Sequence, residues 1–62
     1  MLEDKIIELW HISRTALATQ DSSRHSRMLY IKKELQERNP ELVSGMTYKE
    51  IWFTIENTLS HV

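Results

Sequence analysis

The sequence predicts an all-α fold, a small three-helix bundle, and three observations carry that expectation. Apolar residues recur every three or four positions in three separate segments, a spacing that collects them on one side of a helix. Two breaks divide the segments, one polar and one holding the only proline and the only glycine. A capping box opens the third segment.

The first helix is expected over residues 2–19, with Leu2, Ile6, Leu9, Trp10, Ala16 and Leu17 as its inward stripe. Gln20-Asp21-Ser22-Ser23 ends it, because these short polar side chains bond their own backbone and cap whatever follows. The second helix, expected over 23–38, turns Met28, Ile31 and Leu35 inward and leaves Lys32, Lys33, Glu34, Gln36 and Glu37 to solvent. Pro40 disfavours the helical conformation at Asn39. Asn39-Pro40-Glu41 then reads as a cap followed by proline at the first helical position, so a short helical turn is expected at 40–43, with Gly45 as its stop.

In Thr47-Tyr48-Lys49-Glu50 the threonine hydroxyl takes one orphan amide and the glutamate returns to the amide of the cap, so the third helix is expected over 47–61. Met46 before the cap and Ile51 inside it are placed to form a hydrophobic staple. Tyr48, Ile51, Trp52, Ile55, Leu59 and Val62 make the stripe of this helix. No repeat, low-complexity tract or linker interrupts the chain, so 1–62 is read as a single helical domain. Met1 reads as a start and Val62 is the last stripe residue, which suits a complete small protein and the N-terminal piece of a longer one equally.

A content of 40 % apolar and 27 % charged residues is that of a folding chain and not of a disordered one. A domain of 62 residues hides only about 60 % of the surface its unfolded chain exposes. With no cysteine and no cluster of metal ligands to staple it, such a chain depends on helix packing and association, and a homodimer is expected. The net charge of -1 gives no global attraction to nucleic acid or anionic lipid. No apolar run approaches the roughly 18 residues of a membrane span. The absence of cysteine fits a reducing compartment, and the cytoplasm is the expected location.

Catalytic chemistry is not expected. His11, His25 and His61 each have a serine within two residues, yet side chains that close in sequence do not face one another on a helix. Glu8 and His11 have the E-x-x-H spacing used in carboxylate-bridged metal bundles, but the second pair and the two further glutamates of such a site are missing. With one glycine and no phosphate-cradling loop, nucleotide-dependent enzymes are excluded. No cofactor, metal or small-molecule substrate is therefore expected.

Two features point to partners. Residues 22–38 carry Arg24, Arg27, Lys32, Lys33 and Arg38 against Glu34 and Glu37, a local balance of +3, whereas the flanking segments are each at -2. Arg24, Arg27, Lys32 and Lys33 thus define an alternative function, that of a nucleic-acid-binding accessory protein using the basic second helix. Arg24, Arg27 and Arg38 fall within about 60° of each other on a helical wheel while Lys33 lies roughly opposite, which splits the patch. The second feature is surplus apolar surface. Ile7 and Phe53 project away from the main stripes of the first and third helices, and Phe53 stands beside Trp52. The leading expectation is a small non-enzymatic regulatory or interaction protein that self-associates through Ile7, Trp10, Trp52 and Phe53, with the aromatics as anchors.

Overall fold

A computed structural model describes all 62 residues. Helix α1 spans Leu2–Ala16, α2 spans Arg24–Arg38, a 3₁₀ turn spans Pro40–Leu42 and α3 spans Tyr48–Leu59. The three helices pack against one another and there are no strands, so the chain is an all-α three-helix structure.

Helices α2 and α3 start where their cap chemistry puts them. The Ser23 hydroxyl accepts the amide of Ser26 at the head of α2. At the head of α3 the Glu50 amide donates to Thr47 Oγ1 at 3.2 Å and the Thr47 amide donates to Glu50 Oε1 at 2.8 Å, which closes both arms of the capping box. Substituting Thr47 by alanine is expected to lower stability by about 1 kcal/mol. Thr47 is exposed, so urea titrations of the two forms read the cap without any change in the core.

The helix ends depart from expectation. Helix α1 stops at Ala16 instead of running to Thr19. Leu17 N–H bonds Ser13 O, while Ala18 N–H tightens onto Thr15 O and Gln20 N–H onto Leu17 O. Beyond half-buried Leu17, residues 18–20 are all exposed, so no packing holds a further turn open to water. Helix α3 stops at Leu59 and not at His61, because Ser60 Oγ donates to Asn57 O and His61 Nδ1 lies 2.8 Å from the same carbonyl. Two members of the expected α3 stripe lie outside the core, Tyr48 at the first position of the helix (69 % exposed) and Val62 beyond its end (62 % exposed).

The core holds Ile6 and Leu9 from α1, Met28, Ile31 and Leu35 from α2, Val43 from the connection, and Ile51, Ile55 and Leu59 from α3. Their spacing on each helix is the one that places every member on a single side. Gly45 adopts φ +80, the left-handed conformation that glycine reaches without a Cβ clash, and so turns the chain from the 3₁₀ turn toward the cap of α3. At that end of the bundle Leu2, Ile6, Leu35, Val43, Met46 and Ile51 meet with no room for a water molecule between them. Met46 and Ile51 thereby make the expected staple.

Candidate functional site

At the opposite end, two polar side chains enter the core. Ser13 occupies an inward position of α1, one turn beyond Leu9, and is fully buried. Arg27, on the first turn of α2, reaches it from across the helix pair. Arg27 Nε donates to Ser13 Oγ at 2.8 Å, Arg27 Nη2 donates to the Trp10 carbonyl at 2.6 Å, and the Ser13 hydroxyl donates to that same carbonyl at 2.7 Å. The guanidinium lies 3.4 Å from the centroid of the Trp10 ring, and that of Arg24 lies 5.7 Å away. A planar cation over an indole face is attracted by the ring quadrupole, more strongly where water is excluded.

Arg27 therefore differs from the partner-facing cation expected on the basic second helix. It is 9 % exposed, its stem lying against the bundle and its head group committed to α1. Burial, and secondarily the charge of Arg14, push its pKa below the ordinary arginine value. The other three cations named with it diverge. Arg24 remains exposed beside Trp10, Lys32 lies 4.6 Å over the ring of Tyr48, and Lys33 is exposed on the outer side of α2. Ser13 was not among the candidate residues, although a polar side chain at a core position of the Ile6-Leu9 stripe is the signal that marks it.

The four expected anchor residues are placed on different surfaces. Trp10 and Trp52 are half-buried against the core on either flank of the first turns of α2, Trp10 under the two arginines and Trp52 5.5 Å from the His25 ring. Ile7 is half-buried. Phe53 points outward, roughly 160° around α3 from the core residue Ile55, and is 58 % exposed. It borders an open hollow whose other walls are Glu3, Thr54, Glu56, Asn57 and Ser60.

Glu8 accepts a hydrogen bond from Lys5 at 3.2 Å, and His11 is exposed. No three His, Asp or Glu side chains converge to hold a metal ion. No helix is long and apolar enough to cross a membrane.

The α1–α2 connection is organised by Asp21, whose carboxylate accepts the Ser23 amide at 3.0 Å and the Ser26 hydroxyl at 2.8 Å. These bonds favour the ionised form, the Ser23 amide most, and hold the Asp21 carboxyl below its usual range. Because the folded-state value is depressed, the stabilisation is complete above the unfolded value of about 3.9 and is lost as pH falls through the folded value. Thermal melts of wild type and Asp21→Asn are expected to differ at neutral pH, to begin to approach one another near about pH 4 and to converge only below the depressed folded-state value.

The chain matches no protein-family model, no curated protein and no solved structure.

Proposed function

We propose that this chain is a small non-catalytic interaction protein that acts as a homodimer through the outer face of α3, with Phe53 at the centre of the contact. The observation that supports this reading most is the position of Phe53: a largely exposed aromatic side chain on a polar helix face, beside an open hollow on the same face.

An interface of this kind has an aromatic anchor surrounded by a polar rim. Lys49, Glu50, Glu56, Asn57 and Ser60 supply that rim around Phe53. A two-fold contact needs a self-complementary surface, since each copy presents the same face to the other, and a projection beside a recess meets that need. Phe53 is the projection and the hollow walled by Glu3, Thr54 and Asn57 is the recess. The thin core of nine buried apolar residues gives the second copy something to add, because further apolar burial is worth about 25 cal/mol per Å². Trp52, packed against the core beside His25, and half-buried Ile7 are not among the residues that wall this hollow, so the proposed contact rests on Phe53.

Sedimentation equilibrium of wild type and Phe53→Asp tests this reading. The wild type is expected as a dimer whose association responds weakly to salt, and the variant as a folded monomer with an unchanged circular dichroism spectrum. A wild type that stays monomeric at every concentration, or a variant that associates as well as the wild type, removes the proposal.

A further inference from the structure

The arginines around Trp10 have no anionic partner. Arg24 and Arg27 both lie over the Trp10 ring, at 5.7 and 3.4 Å, and Arg14 follows Trp10 by four residues on the same side of α1. The three ion pairs of the chain are Met1 with Asp4, Lys5 with Glu8 and Arg38 with Glu34, so none involves these arginines. The Asp21 carboxylate, in the α1–α2 connection, accepts from Ser23 and Ser26 and forms no ion pair with these arginines.

Arg27 is the informative member. A guanidinium carries five N–H donors, and within the chain Arg27 uses only one on Nε and one on Nη2. No fully buried polar side-chain atom lacks a partner, so Nη1, which has none, keeps some contact with solvent. A cation that is nine-tenths buried, held by two neutral oxygens and the Trp10 ring and with Nη1 unpaired, lacks a counter-charge that an anion would supply. Arg14 adds like charge and raises the positive potential at the same spot.

The geometry points to an oxyanion-binding site of phosphate type at this end of the bundle, in which the free edge of Arg27 fixes the anion and the exposed arginines Arg14 and Arg24 close over it. Planar guanidinium groups match the oxygens of a phosphate in paired hydrogen bonds. With the Arg27 head group over the Trp10 ring, that ring face is closed to a stacking base, so the site recognises charge and not nucleobase identity. The site lies on α1 and α2, away from the Phe53 face, and does not depend on the homodimer reading.

The test is a titration with inorganic phosphate at constant ionic strength, chloride replacing phosphate in the control. Trp52→Phe leaves Trp10 as the only tryptophan, and its fluorescence is expected to change saturably as the guanidinium above it engages the anion. The melting temperature of the wild type, read in parallel, is expected to rise with phosphate. Arg14→Gln and Arg24→Gln, both at exposed positions, are each expected to weaken phosphate binding by about tenfold, whereas Lys33→Gln leaves it unchanged. A response no greater than that of chloride, or one that survives both arginine substitutions, overturns the site. A short single-stranded oligonucleotide in the same titration then separates the sources. Tighter binding than inorganic phosphate, with the same dependence on Arg14 and Arg24, assigns a phosphodiester chain. Binding no tighter assigns a free phosphate, and both results sustain the oxyanion site.

Discussion

Ile55→Ala is expected to remove about 3–4 kcal/mol of stability, because it deletes a fully buried side chain from the centre of α3 and leaves a cavity that neighbours on three elements cannot close. A chain of 62 residues has only about 3–9 kcal/mol in total, so the loss is a large part of the whole. Urea unfolding followed by circular dichroism is expected to show the midpoint falling by about 3 M, at a slope near 1 kcal/mol per M. Ile55→Val, which removes one methylene, is expected to cost about 1 kcal/mol. Similar midpoints for the two variants contradict the tight placement of Ile55.

Ser13→Ala is expected to cost about 2–3 kcal/mol, far more than the removal of one hydroxyl suggests. The reason is the partner left behind: Arg27 Nε loses its only acceptor while the guanidinium stays buried. Arg27→Met removes the charge and keeps most of the stem, and the Ser13 hydroxyl still has the Trp10 carbonyl to donate to. In that background Ser13→Ala is expected to cost under about 1 kcal/mol, and the difference is the coupling between the two residues. An equal cost of Ser13→Ala in both backgrounds means that the 2.8 Å bond carries no stability.

The helices were legible because their signals are local. Ile6-Leu9, Met28-Ile31-Leu35 and Ile51-Ile55-Leu59 repeat with the helical period, Pro40 breaks the chain, and Thr47 with Glu50 closes a cap within one turn. The ends of α1 and α3 were less legible, since whether a last turn survives depends on what packs against it. Thr19 and His61 have nothing against them.

The clamp at Arg27 was hidden for a related reason. A helical wheel places Arg27 at the margin of the α2 stripe, beside Arg24 and Arg38, where solvent and interior are equally accessible to a long side chain. Ser13, fourteen residues away in sequence, draws it inward, and only the packing of α1 on α2 brings the two together. The surplus apolar residues show the same limit. Periodicity marks Ile7 and Phe53 alike as lying off the stripe, yet the structure half-buries Ile7 and leaves Phe53 outside. Trp10 and Trp52, large enough to reach across a helix pair, settle against Arg27 and His25 of α2.

The melting temperature of the wild type measured over a hundredfold range of protein concentration reaches the proposed homodimer most directly. A dimer held through Phe53 melts at higher temperature as concentration rises, because association stabilises the folded chain by mass action, and Phe53→Asp removes that dependence. A melting temperature independent of concentration in the wild type contradicts the proposal.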